Sequence, residues 1–198
     1  TGAAFSLGWS QEALASFRAH GEVQADPFGC LAALPQPVIA AINGDALSAG
    51  LELALACDLR VAARGSRFAL PETGDGLIPL AGGTQRLPRL IGHGRAREMV
   101  LLGRELDADT ALTWGLVSAV AEDGALEAEV DRIAGVIAGR GPIAERFAKE
   151  ALRDGAELPL ARALRYELDL TVLLQTTEDR AEGVRAFAEK RTPGFQGR

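Results

Sequence analysis

Two glutamates stand in settings that could support acid–base chemistry. Glu52 belongs to LPQPVIAAINGDALSAGLELALACD, residues 34–58, where an apolar run turns through small residues into a stretch rich in alanine and leucine. The first N–H groups of a helix begun there lack intrahelical acceptors and carry the positive end of its dipole, so such a turn can bind an oxyanion. Ser48, Ala49 and Gly50 are small enough for a ligand to approach the main chain, and Glu52 lies one turn inside. Spacing alone supports a competing reading equally well, a tightly packed turn with Glu52 in solvent. Glu72 opens the loop PETGDGLIPLAGG, residues 71–83, directly after an expected strand, where α/β sheets often carry functional groups. Two carboxylates from different elements can divide acid and base roles if they converge on one ligand. Taken alone, Glu72 is more often a solvated loop residue.

Other polar residues point less clearly to chemistry. Gly82-Gly83-Thr84 could hold an anion through free N–H groups, although a helix cap with close packing is the simpler explanation. Asp75 reads as an exposed turn residue, His93 as a turn residue between glycines and His20 as a helix-surface residue. Ser48 lacks the GxSxG elbow of a serine hydrolase. Lys190 and Arg191 end the last helix, where cations suit the dipole, with phosphate contact as a second use.

These residues need elements to hold them. Residues 2–12 read as a strand end entering a loop, followed by helices over 11–23 and 28–34. Val38–Ile42 suits a strand buried on both faces, and 45–48 a turn into a helix over 49–57. Short strands follow at 59–63 and 67–70, joined by a turn at Arg64-Gly65-Ser66. Two prolines and four glycines in 71–83 predict a shaped loop without a regular element. Asp107 and Asp109 are candidate caps of a short helix ending at Gly115, and 116–120 is one more strand. Helices are expected over 125–138, 142–153, 158–175 and 178–190, with Leu160, Leu164, Leu168 and Val172 at helical spacing. The pattern is α/β, a core over 1–122 and a helical region over 123–198.

Composition narrows the function. With 198 residues and 47% hydrophobic content the chain can bury a core, and a net charge of −6 argues against a general nucleic-acid binder. Cys30 and Cys57 form no CxxC pair or disulfide framework, and with two histidines a structural metal site is not expected. A reducing compartment is the default, which is the cytoplasm in a bacterium. No apolar run is long enough to span a membrane. The sequence begins at Thr1, which leaves an organelle-targeting segment open.

Taken in order, AFSLGWS, the 34–63 segment, RFALPETGDGLIPLAGGTQRLPRLIG, AREMVLLGRELDADTALTWGLVSAV and EDRAEGVRAFAEKRTPGF resemble the crotonase, or enoyl-CoA hydratase/isomerase, family along essentially the whole chain. The resemblance implies a spiral of ββα turns followed by a C-terminal helical region that forms trimers or dimers of trimers. It implies an acyl-CoA thioester substrate whose oxygen accepts from the main-chain N–H groups of Trp9 and Ala49. Glu52 and Glu72 fall on the hydratase glutamates, and Leu7, Gly50, Leu80 and Lys190 on substrate-binding positions. It implies no metal or redox cofactor, coenzyme A being part of the substrate. The expected reaction is hydration of a 2-enoyl-CoA, with Δ3,Δ2-enoyl-CoA isomerisation and non-catalytic acyl-CoA binding as alternatives. A dehalogenase or decarboxylase reading rests on Trp9 alone. Trp9, Ser10 and Leu80 depart from the family's usual small residue, aspartate and glycine, which implies an altered acyl pocket. The family's first strands have no counterpart here, so the sequence is expected to be a piece of a longer protein that is not stable alone.

Overall fold

Val38 to Ile42 combines β-branched and small apolar residues between prolines and Asn43-Gly44. It folds as β2, Ile39–Ile42, at one edge of a three-stranded parallel sheet. The computed structural model describes residues 4–8, 10 and 27–198. The helix expected over 11–23, His20 and Trp9 lie outside the described residues. The chain divides into two compact units, Thr1–Leu34 with Val38–Asp131 and Pro35–Pro37 with Arg132–Arg198.

The first unit is built by alternation. After β1, Ala4–Ser6, and α1, Pro27–Ala32, the chain runs through β2 and then β3, Asp45–Leu47, before α2, Ala49–Leu55. β4, Leu59–Ala63, lies beside β2, and β5, Arg67–Ala69, lies beside β3. Each pass therefore gives one strand to each sheet, and all these pairings are parallel, which is the ββα spiral implied by the sequence. The sheet orders are β1-β3-β5-β6 and β2-β4-β7, with β6, Leu106–Asp107, and β7, Ala119–Ala121. Two helices, α3, Gly83–Ile91, and α4, His93–Leu102, come between β5 and β6, and α5, Ala108–Trp114, comes between β6 and β7.

Three local expectations are corrected. Residues 45–47 form a strand instead of a turn, because the Asp45 carboxylate is engaged from the neighbouring strand by the Arg67 N–H and guanidinium. The loop after β5 contains one turn of 3-10 helix at Glu72–Asp75, which the two glycines at 74 and 76 permit. His93 opens α4 instead of sitting in a turn, since Gly92 just before it takes the positive φ. The expected cap is found: Asp107 accepts from the Thr110 N–H and starts α5.

Ile42, Leu51, Phe68, Leu70, Leu87, Met99, Leu106 and Leu116 form the core of this unit. At its far side Arg60, 6% exposed, donates to the carbonyls of Leu116, Cys57, Ala54 and Asp58. Three of those carbonyls close the C-terminal end of α2, where a cation also suits the dipole.

The second unit is helical: the last turns of α6, Leu126–Ala138, then α7, Pro142–Gly155, α8, Leu160–Leu174, and α9, Glu178–Glu189. Buried Asp179 accepts from the N–H groups of Gln196 and Gly197 and holds the C-terminal tail against α9.

The Arg60 arrangement leads to a stability prediction. Arg60→Met fills much of the same volume but removes the donor to the buried Leu116 carbonyl and to the part-buried carbonyls of Cys57 and Asp58, each loss costing about 1–3 kcal/mol. In the complete protein it should lower unfolding free energy by roughly 3 kcal/mol or more, read by urea denaturation. A loss below about 1 kcal/mol would show that other groups carry the end of α2.

Candidate active site

Helix α2 is rich in alanine and leucine, and Ala49, Gly50, Leu51, Glu52, Ala54 and Leu55 are all buried. A helix enclosed on so many sides leaves no solvent face for its one charged residue. Glu52 is 0% exposed, which removes the reading that placed it in solvent. Its Oε1 atom accepts from the main-chain N–H groups of Ala81 at 2.7 Å and Gly83 at 2.8 Å. The glycine turn that opens α3 therefore does hold an anion, and the anion is the chain's own carboxylate. A Cβ at Gly83 would sit 3.0 Å from that oxygen and 2.9 Å from both Leu70 and Pro79, so only glycine fits without displacement. No described residue supplies a hydrogen bond to Glu52 Oε2.

Glu72 begins the 3-10 turn and is 9% exposed, with neither carboxylate oxygen hydrogen-bonded by a described residue. The solvated-loop reading is thereby removed as well. Its turn is anchored beneath α4, where the Thr73 hydroxyl donates to the Val100 carbonyl at 2.8 Å. Burial raises the pKa of Glu52 above the ordinary carboxylate value, opposed by the N–H groups of Gly83 and Ala81, and the negative charge of Glu72 raises it further. The two glutamates thus stand within electrostatic range of each other. Buried polar atoms left without partners are uncommon in folded proteins, and a perturbed carboxylate among them marks a candidate site.

The turn before α2 has the backbone to match. Ser48 takes φ 53° and ψ −127°, a conformation rare for a residue with a side chain, and does not cap the helix. Holding a residue there costs about 1–3 kcal/mol and is a recurring feature of functional turns. Ala49 is the first residue of α2 and is buried. Segment 6–8 crosses it closely: a Cβ on Gly50 would lie 2.2 Å from the Ser6 carbonyl, and one on Gly8, at φ 108°, would lie 2.7 Å from Ser48 Cβ. The chain leading to Trp9 therefore passes against the start of α2.

Glu52, Glu72, Ala49 and Gly50 are gathered in the first unit, and Leu80 lies half-buried on the loop that grips Glu52. Leu7 is 65% exposed. Lys190 belongs to the second unit, where it ends α9 at φ 56°. Asp75 is exposed, as expected. Sequence reasoning missed that Ala81 and Gly83 are partners of Glu52; the glycine pair was the available signal. Among the described residues no group of His, Cys, Asp and Glu could hold a metal ion, and no helix is long and apolar enough to cross a membrane.

The family model described as enoyl-CoA hydratase/isomerase matches residues 1–198. The chain belongs to this family. It is 42% identical to the crotonyl-CoA hydratase of Syntrophomonas wolfei over 178 residues, covering 90% of this chain and 68% of that one. It is 48% identical to the 2,3-dehydroadipyl-CoA hydratase of Escherichia coli over 169 residues, covering 85% and 66%. A Bacillus subtilis relative shares 51% identity over 167 residues, and the chain spans only 64% of its length. Among solved structures, the enoyl-CoA hydratase of Bacillus anthracis superposes with TM-score 0.86 at 45% identity, over 96% of this chain and 72% of that one. An enoyl-CoA hydratase subunit of Geobacillus kaustophilus gives 0.94 at 40% identity, over 100% and 78%. The α/β architecture is the crotonase fold.

The raised Glu52 pKa has a direct consequence for stability. Between the ordinary value of 4.5 and the raised value the folded chain binds a proton that the unfolded chain releases, so stability falls as pH rises through that window. Glu52→Gln keeps an acceptor for Ala81 and Gly83 without a buried charge. At pH 7 to 8 it should stabilise the complete protein by about 1 kcal/mol, or roughly 2–4 °C by calorimetry. At pH 4 the gain should vanish. A lower melting temperature at pH 8 would contradict this account.

Proposed function

We propose that the complete protein is an enoyl-CoA hydratase, adding water across the C2=C3 bond of a 2-enoyl-CoA. The observation that carries the reading is the pair of buried glutamates, each with carboxylate oxygen not engaged by any described residue. The thioester oxygen would accept from the main-chain N–H groups of Ala49 and Trp9, so that charge gathering on it as water adds at C3 is met by fixed dipoles. Glu72 would take a proton from the water and deliver one to C2. Glu52, held at Oε1, would present Oε2 to orient that water. One C–O and one C–H bond form as the C2=C3 π bond is lost, so the reaction balances without a redox partner, and the thioester supplies the activation a metal would otherwise give.

The acyl group is left open by the relatives, which are named for crotonyl-CoA, 2,3-dehydroadipyl-CoA and methylglutaconyl-CoA. Trp9 and Leu80 would narrow the pocket, and Leu7, Gly50 and Lys190 would contact substrate. Isomerisation is the second reading, since the family description includes it. It moves a proton along the acyl chain and can be served by Glu72 alone, whereas hydration also needs a held water. The fixed Oε1 and unengaged Oε2 of Glu52 therefore favour hydration.

A homotrimer or dimer of trimers is the proposed assembly. Leu160, Leu164, Leu168 and Val172 remain exposed along one stripe of α8, an apolar surface that isolated soluble chains seldom keep.

With crotonyl-CoA as substrate, Glu52→Gln and Glu72→Gln should each lower kcat by about 10²–10⁴, followed as loss of the conjugated thioester absorbance. On a 3-enoyl-CoA, any isomerisation should fall with Glu72→Gln and survive Glu52→Gln. Hydration by Glu52→Gln within about threefold of the parent enzyme would sink the hydratase reading. By light scattering the complete protein should run as a trimer or hexamer and dissociate when Leu164 and Leu168 are both changed to Asp; a monomeric parent protein would rule the assembly out.

A further inference from the structure

Arg86 lies in the first turn of α3, and its side chain folds back over the loop that precedes the helix. Nη1 donates to the Ala81 carbonyl at 2.8 Å. A Cβ placed on Gly82 would lie only 2.4 Å from Nη1, so the guanidinium is seated directly against that glycine. The main-chain N–H groups of Arg86 and Gln85 both donate to the Gly82 carbonyl, at 2.7 and 3.0 Å.

The peptide between Ala81 and Gly82 therefore sits between the two N–H donors that grip Glu52 Oε1. Gly82 is at φ 100°, and glycine populates both signs of φ with similar ease, so sterics alone do not keep it there. Rotation of that peptide would carry the Ala81 and Gly83 N–H groups out of line with the carboxylate. A charged donor on the Ala81 carbonyl resists the rotation, because a charge-assisted hydrogen bond is stronger than a neutral one.

We propose that Arg86 is a positioning residue for Glu52: by holding the Ala81 carbonyl it fixes the loop whose Ala81 and Gly83 N–H groups orient that carboxylate. The inference rests on the reading of Glu52 as the carboxylate that holds the water. Arg86 touches neither Glu52 nor the reacting atoms in this scheme and acts only through the loop. Since the two N–H groups favour the ionised carboxylate, weakening their hold moves Glu52 further toward its protonated form.

The test uses the complete protein, labelled with 13C at glutamate carboxyl carbons, with Glu52→Gln identifying the Glu52 resonance. Arg86→Met, which keeps the aliphatic stem, should move the Glu52 titration to higher pH. Arg86→Lys, with a single cationic group to offer the Ala81 carbonyl, should fall between the two. On crotonyl-CoA, Arg86→Met should lower kcat by about 10- to 100-fold, less than removal of an acid or base itself, with KM within about twofold. The acid limb of its rate profile should move in the same direction as the resonance. A folded Arg86→Met protein with unchanged Glu52 titration and rate profile would overturn the proposal, as would a loss expressed wholly in KM, which would make Arg86 a substrate contact. If the methionine variant does not fold, Arg86→Gln serves the same comparison with the same deciding outcomes. A parent enzyme that does not hydrate crotonyl-CoA would instead overturn the hydratase reading, while the titration would still decide the role of Arg86.

Discussion

The bonds from the Ala81 and Gly83 N–H groups to Glu52 Oε1 join a helix, a loop and the start of a second helix at one atom. Glu52 lies inside the core with no cation against its carboxylate among the described residues, so the cost of removing it from water is met by backbone dipoles, chiefly those of Gly83 and Ala81 with a smaller share from Leu80. Several features of the neighbourhood follow from that requirement. Gly83 must lack a side chain, Leu70 and Pro79 must close around it, and Gly82 must take a positive φ for the two donors to face the same way. Moving α2 along its axis would break both bonds at once.

The position of α2 is in turn set by close approach at one end and hydrogen bonding at the other. Gly50 lets the Ser6 carbonyl come within reach of the helix backbone, and Ser48 accepts an unfavourable φ to make the entry turn. Arg60 gathers carbonyls at the far end. The spiral supplies the rigidity that makes this strain tolerable, because β3 is paired on both sides, by β1 and β5, directly before the turn. Energy spent on a strained turn and an unneutralised carboxylate lowers stability, and such costs commonly collect where a protein performs its function.

Family membership constrains the scaffold more than the substrate. One fold can host several reactions when the residues facing the ligand differ, and relatives with similar identity to this chain are named for different acyl groups. What is common to the proposed hydration and isomerisation is enolate stabilisation at a backbone turn; what separates them is whether a second carboxylate holds a water. The asymmetric grip on Glu52, one oxygen fixed and one without a described donor, bears on that distinction.

The order of motifs in the sequence determined the family and fold class, because strand, turn and helix signals recur in one order along nearly the whole chain. Local chemistry also settled many elements: the apolar run of β2, the Asp107 cap of α5 and the Pro142 start of α7 depend on neighbouring residues, which a sequence displays. The strand at 45–47 was not legible, because Asp45 resembles a turn residue until Arg67 of the adjacent strand engages it. Nor could the sequence decide whether Glu52 and Glu72 were buried, since burial is a property of everything packed around a residue; spacing left Glu52 evenly balanced, and a loop position by itself favoured solvent for Glu72. That Gly82 and Gly83 serve a glutamate some thirty residues earlier was decided only by tertiary structure. The physical reason is that a hydrogen bond between distant segments leaves no periodicity in either of them.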